Sequence, residues 1–170
     1  ELNRSLDFEG TLATVARLAV PAIADWCAID MVEDNERKRL GIAHIDPAKL
    51  EFVAEIERRY PPDPNSATGV PNIIRTGQAE IIPEIPAELI EGAARDAEHL
   101  RLVRQLALRS YMGVPIKRGG RVVGALTFVM AESRRLYSMT DMQVAQEMDN
   151  RASVAIANTL LYHEAQQRRR

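Results

Sequence analysis

The chain has 170 residues, 46% of them apolar and 27% charged, with a formal net charge of −2. That length supports one domain with a sizeable core, and the charge argues against nucleic acid as the main partner, because a phosphate-binding surface carries a clear basic excess. No apolar run is long enough to enter and span a bilayer, and the single cysteine, Cys27, excludes an internal disulfide and any zinc site built on two or more thiolates.

In chain order, a first helix is expected over 5–20: Phe8, Leu12, Val15, Ala16 and Ala19 fall on one face, and Pro21 ends or kinks it. Trp26 to Val32 reads as a strand, with Trp26, Ala28, Asp30 and Val32 on one side and Cys27, Ile29 and Met31 on the other. A polar loop of several residues, Glu33 to Glu36, leads to a second strand over Arg39 to Ile45. Asp46-Pro47 opens a helix that stops at Pro61-Pro62, with Asp46 as its cap. A proline-rich loop follows, then a short helix from Val70 to Thr76 ending at Gly77.

Ala79 to Ile82 is a short strand, and Pro86 to Leu108 reads as one strong helix. Ser110 to Lys117 and Arg121 to Met130 flank Gly119-Gly120, which supply the positive φ of a tight hairpin. The second of these strands is apolar on both faces and should be central, whereas Pro115 lacks an N–H and calls for an edge or a bulge. The last helix, 140–167, starts at a capping box of Thr140 and Gln143.

Residues 1–170 thus form one α/β (α+β) domain. Its mostly antiparallel sheet of five or six strands lies between terminal helices on one face and mid-chain helices on the other. The N-terminus has no apolar signal segment. The absence of an initiator Met and the abrupt Arg168-Arg169-Arg170 end are read as marks of a piece cut from a longer protein. A reducing cytoplasm is the simplest compartment.

Several segments carry a family resemblance: Ala24-Asp25-Trp26-Cys27, Gly41-Ile42-Ala43-His44, Ile74-Arg75-Thr76-Gly77-Gln78, and Arg109-Ser110-Tyr111-Met112-Gly113-Val114-Pro115-Ile116. They continue through the Arg118-Gly119-Gly120-Arg121-Val122-Val123-Gly124-Ala125-Leu126 hairpin, Tyr137-Ser138-Met139-Thr140-Asp141, and Ala155-Ile156-Ala157-Asn158. In this order they resemble the GAF family of small-molecule sensor domains, over nearly the whole chain. The resemblance implies a regulatory input domain of a bacterial signalling protein, joined to a histidine kinase or serine phosphatase module as in a two-component system. Fold alone does not fix a ligand. Bilin-binding relatives attach their chromophore through a cysteine, often beside a histidine, and no Cys-His pair occurs here. Methionine-sulfoxide reductases of this fold need several cysteines. The Asn-Lys…Phe…Asp-Glu signature of cyclic-nucleotide binders is missing.

The candidate ligand-contacting residues are Asp30, His44, Tyr60, Arg75, Arg109, Tyr111 and Thr127. Asp30 and His44 lie mid-strand on paired strands, and either line a cavity together or form a structural Asp–His bond or helix cap. Arg75 and Arg109 either fork onto an anion or lie over apolar surface. Tyr60 either stacks on a ligand or anchors the proline loop. Cys27 reads as a small buried hydrophobe, and His99, among charges on its helix, as solvated. No histidine spacing supports a metal, and no motif sets a nucleophile beside a base, so no catalytic residue and no cofactor are expected.

The terminal helices carry a second expectation. Phe8, Leu12 and Val15 on the first, and Ala145, Met148, Ala152, Ala155, Ile156 and Thr159 on the last, form stripes suited to a homodimer and to onward connection to an output module. The alternative is that these stripes only pack on the sheet. The expected function is therefore a small-molecule sensor relaying through its end helices. A ligand-free dimerisation module is the main alternative, and a small enzyme built on Asp30 and His44 the weakest.

Overall fold

The computed structural model describes residues 22–147 together with 10, 14, 16–20 and 150. The expectations placed on Phe8, Leu12, Val15, Pro21, Met148, Ala152, Ala155, Ile156 and Thr159 lie outside those residues. Five strands form one sheet: β1 (Trp26–Glu33), β2 (Glu36–His44), β3 (Glu80–Ile82), β4 (Ser110–Arg118) and β5 (Arg121–Met130), in the order β2-β1-β5-β4-β3. Every pairing is antiparallel. The two-sided apolar strand β5 is indeed at the centre. Helical residues 16–19 (α1) precede the sheet and helix 139–147 (α6) follows it. Between them come α2 (Ala48–Arg59), α3 (Val70–Thr76), α4 (Ala87–Ala93) and α5 (Ala97–Gln105).

Strand alternation sorts the core into two layers. Cys27, Ile29, Met112, Leu126 and Phe128 pack with Ala16 and Ala19 of α1 and with Met142 and Ala145 of α6. The opposite face presents Trp26, Tyr111, Ala125 and Val129 to Ile73 of α3, while Val53 and Ile56 of α2 pack with Leu102 of α5 and with Leu106 just past its end. Each large side chain fully buried in this way contributes about 1.5–3 kcal/mol. The β1 faces are those the alternation gives. Pro115 lies past Gly113, where β3 has ended and β4 is locally an edge, next to a register shift at Ile116/Lys117. The place suits a residue without an N–H.

Three local expectations are corrected. The β1–β2 connection is a two-residue turn, Asp34-Asn35, with φ of 52° and 62°. Asp and Asn tolerate the left-handed region, so they close the hairpin without glycine. The stretch from Pro86 to Leu108 is two helices, because the Asp96 carboxylate accepts the His99 N–H at 2.7 Å and starts α5 afresh. The box that opens α6 is Ser138 with Asp141 rather than Thr140 with Gln143. The Asp141 carboxylate accepts from the Ser138 N–H at 2.7 Å, and the Asp141 N–H points back to Ser138 Oγ at 3.5 Å.

Asp25 joins two neighbouring strands at one end of the sheet. Its buried carboxylate accepts the N–H groups of Ala131 at 2.7 Å and Ser133 at 2.9 Å, tying the entrance of β1 to the exit of β5. No helix among the described residues is long and apolar enough to cross a membrane.

Candidate functional site

The sheet face turned toward α2 and α5 does not close on those helices. It leaves a cavity of about 780 Å³, within the usual range for small-molecule sites. Trp26, Tyr111, Thr127 and Val129 form its floor; Val53 and Ile56 of α2, Val103 of α5 and Leu106 just past that helix form its roof; and the loop from Pro61 to Gly69 lies along one side.

Two polar atoms distinguish the floor. Tyr111 Oη and Thr127 Oγ1 are buried and have no hydrogen-bond partner among the protein groups, though their residues are only 9% and 7% exposed. Leaving such a group unpaired costs about 1–3 kcal/mol. Their neighbourhood follows from register. Thr127 pairs with Gly113 across β4–β5, and the Tyr111 phenol lies over Gly113, its Oη 2.6 Å from where a Cβ would stand. Burial first, then the charges of Glu80 and Asp30, push the Tyr111 phenol up, so it stays protonated and can donate.

One wall carries charge that is already paired. Asp30, fully buried, accepts from Arg37 Nη1 at 2.6 Å and from Arg39 Nε at 3.2 Å, and Arg39 Nη1 reaches Glu57 on α2 at 2.6 Å. Burial alone would lower the Arg39 guanidinium, but Asp30 and Glu57 outweigh it and hold it above its ordinary value. On the opposite flank, the Glu80 carboxylate accepts from Gly69 N and Asn72 Nδ2, both at 2.9 Å, which holds the proline loop to β3.

Another part of the lining carries an aromatic contact. Tyr60 stacks on His99 with ring centres 4.2 Å apart and planes within 5°, and its hydroxyl donates to Asp96 at 3.0 Å. Arg95 donates to the Pro61 carbonyl. Burial first, then Arg95, hold His99 below its ordinary value.

The seven sequence-derived candidates thus separate. Tyr60, Tyr111 and Thr127 line the cavity. Asp30 stands behind the wall and orients Arg37 and Arg39. His44 does not join Asp30: it pairs with Trp26 at the open end of the hairpin, whereas Asp30, further along β1, pairs with Arg39. His44 Nδ1 instead accepts the Asp46 N–H at 2.8 Å, while the Asp46 carboxylate accepts the Ala48 N–H at 3.1 Å at the start of α2. Arg75 spends its fork on the protein, donating to the carbonyls of Pro64 at 3.2 Å and Ser66 at 3.0 Å and to Asn72 Oδ1 at 2.9 Å. It borders a separate hollow of about 260 Å³. Arg109 contributes backbone bonds to Met130 and Ile85 rather than cavity lining.

Sequence reasoning missed Arg37, Arg39 and Glu57 on the wall and Trp26 on the floor, and took His99 for a solvated side chain. The two arginines follow from alternation once Asp34-Asn35 is read as the whole turn. Among the described residues, no group of three or more His, Cys, Asp or Glu is placed to hold a metal ion.

The family model for the GAF domain matches residues 7–156. Among solved structures, the GAF domain/HD domain protein from Geobacter sulfurreducens superposes with a TM-score of 0.66 at 15% identity, over 95% of this chain and 99% of that one. A domain described as belonging to a two-component sensor histidine kinase of Sinorhizobium meliloti 1021 gives 0.62 at 10% identity, covering 94% and 96%. A type II free methionine-R-sulfoxide reductase from Thermoplasma acidophilum gives 0.59 at 7% identity, covering 91% and 95%. At these identities the likeness is one of fold. No curated protein matches the sequence.

Proposed function

Since the chain belongs to the GAF family, whose members are signalling and ligand-sensing modules, we propose that it is the small-molecule input domain of a bacterial signal-transduction protein of the cytoplasm. The observation that carries this reading is the cavity of about 780 Å³ left between the sheet and helices α2 and α5. A ligand there touches β1, β4, β5, α2 and α5 at once. The reverse face of the same strands carries α1 and α6. Ligand binding that favours one arrangement of the sheet therefore biases the terminal helices, which lead to an output module of the histidine kinase or serine phosphatase kind. The shift equals the difference in affinity for the two arrangements, whatever the total affinity. The test is native mass spectrometry of the purified domain with thermal-shift screening of metabolites and nucleotides. A co-purified ligand or a stabilising compound supports it, and a blank in both overturns it.

A second reading is favoured by a different observation. Leu18 on α1 and Met139 on α6 are 71% and 67% exposed, while Ala19 and Ala145 on the same helices are buried against the sheet. In this reading the outward apolar side chains serve a homodimer, and the domain sets dimer geometry without a ligand. Analytical ultracentrifugation of the chain and of a version lacking the last helix separates the cases. A dimer that survives the truncation overturns assembly through that helix.

The domain is a regulatory rather than catalytic unit in this reading. The fold is shared with a methionine sulfoxide reductase, but the one cysteine here is buried behind the sheet, away from the cavity.

A further inference from the structure

We infer that Arg37 and Arg39 form a seat for the carboxylate of an apolar organic acid, which takes it by exchange with Glu57 of α2; this deepens the sensing reading above and rests on it.

The seat is built from the sheet. Asp30 is fully buried and accepts from Arg37 Nη1 at 2.6 Å. It also accepts from Arg39 through both oxygens, Nε to Oδ1 at 3.2 Å and Nη2 to Oδ2 at 3.3 Å, the forked arrangement that fixes a guanidinium in direction as well as in place. Both arginines are thus anchored on β2 without help from a helix, and Arg37 keeps most of its N–H groups for other acceptors. Glu57 approaches them from the roof. Its Oε1 is 2.6 Å from Arg39 Nη1 and its Oε2 is 3.7 Å from Arg37 Nη2. One carboxylate therefore spans two guanidiniums, which is the placement a ligand acid reproduces.

Burial decides which of the two carboxylates can leave. Asp30 is sealed, and a buried charge stripped of its partners is strongly destabilising. The side chains of Arg37, Arg39 and Glu57 line the cavity and are 23%, 21% and 28% exposed, so a ligand can reach all three. Glu57 can turn to water at small cost, because an ion pair this near the surface contributes little. The two arginines and two carboxylates sum to no net charge. An anion consequently gains by replacing Glu57, not by joining it.

The body of the ligand follows from what adjoins the seat. Val53 and Glu57 stand one turn apart on the same face of α2, with Ile56 beside them, and all three line the cavity. On the floor, Trp26 shares a face of β1 with Asp30 and precedes it by about 13 Å of strand. Apolar surface begins next to the two arginines and continues through Trp26, Val103 and Val129, which rewards an aryl or alkyl body.

The test uses 2-naphthylacetate and octanoate, with the carboxamide of each, titrated calorimetrically into the whole chain and into Glu57→Gln, Arg37→Gln and Arg39→Gln. Both carboxylates are expected to bind about fivefold tighter to Glu57→Gln, the release of one near-surface ion pair, while the carboxamides stay unchanged. Each arginine variant should weaken the carboxylates at least about tenfold, the loss of a charged hydrogen bond. Circular dichroism with urea unfolding confirms folding, and Arg37→Gln leaves Asp30 both of its bonds from Arg39, so it reads the seat even where Arg39→Gln fails to fold. Carboxylate binding that is unchanged or weaker in Glu57→Gln overturns the inference. So does an equal gain by the carboxamides, carboxylate binding that Arg37→Gln leaves intact, or no carboxylate binding below millimolar in either the unaltered chain or Glu57→Gln. A hit from the metabolite screen alongside any of these leaves the sensing reading standing and removes only the acid seat. A blank in both experiments removes both.

Discussion

Gly113 lies beneath the phenol of Tyr111, so close that a Cβ on it would stand 2.6 Å from Tyr111 Oη and closer still to Ile73 Cδ1. Ile73 is fully buried and the phenol is the rigid tip of a ring, so neither yields without repacking. Gly113→Ala should therefore cost about 1–3 kcal/mol, the usual cost of overpacking, and push the phenol out of place. Gly124 is the harsher case. A Cβ there meets the carbonyl oxygen of Asp30, which is backbone in a paired strand and cannot rotate away. Gly124→Ala should lower the urea midpoint more than Gly113→Ala, with the slope unchanged in both. The opposite order would show that the close β1–β5 approach is not the tighter constraint.

The charged wall is expected to be unequal in its parts. Asp30 is fully buried and faces two guanidiniums, whereas the Glu57 side chain is 28% exposed. Asp30→Ala should cost about 1.5–3 kcal/mol, as charged hydrogen bonds do; the arginines, partly exposed, recover some hydration. Glu57→Ala should cost less than about 1 kcal/mol, as near-surface pairs do. A double-mutant cycle of Asp30 with Arg39 should show coupling. Equal losses from Asp30→Ala and Glu57→Ala, or no coupling, would sink this ranking.

What was legible from the sequence divides along a physical line. Strand alternation, the Gly-Gly turn and proline positions act locally, and they place β1, β4, β5, α2 and α3 with their faces. Tyr60, Tyr111 and Thr127 were accessible for the same reason, each lying on a periodic element whose inner face can be read. The placement of His44 failed on register. One misjudged turn at Asp34-Asn35 left the position of Asp30 against β2 open, and a strand slip of a few residues separates a pair from a mismatch. Arg75 failed on competition: a guanidinium fork suits a ligand carboxylate and three loop oxygens equally well, and only tertiary contacts decide. The break before α5 failed because Asp96 inside an apolar-periodic stretch looks like a tolerated surface residue until its carboxylate is seen to take the His99 N–H.

Acid should weaken the fold in two steps. His44 is held below the ordinary imidazole value of 6.5 by burial first, with Lys49 adding to it and Glu132 opposing. His99 is lowered by burial and Arg95. Each Nδ1 accepts a backbone N–H, from Asp46 and Arg95, so the neutral ring is the one the fold uses. With native values depressed, the unfolded chain binds more protons below 6.5. Stability is therefore complete above that pH and falls as pH drops through the folded values. Burial pushes the Asp25 carboxyl up, but the N–H groups of Ala131 and Ser133, the Ser133 side chain and Arg135 outweigh it and hold it below 3.8, giving a second loss at lower pH. Urea midpoints across the acid range should show both steps. His99→Gln should flatten part of the first, and an unchanged profile in that variant would assign the step elsewhere.

Cys27 bears on what the domain can report. It is fully buried between the sheet and the terminal helices, and burial first, then the charge of Asp30, push its thiol up from 9.0 to about 12. A rise of that size lowers the thiolate fraction at neutral pH about a thousandfold, and thiolate is the reactive form. Exclusion from solvent adds to this. A disulfide reagent such as 5,5′-dithiobis(2-nitrobenzoic acid) should label the native domain only through opening of the sheet–helix layer, at a rate that climbs with sub-denaturing urea. A ligand in the cavity should slow that labelling by stabilising the closed form, although it touches the opposite face of β1. Labelling at the rate of a free cysteine would place Cys27 at the surface and overturn its burial in this layer. Slow, urea-dependent labelling places the thiol within the packed sheet–helix layer, as its burial requires.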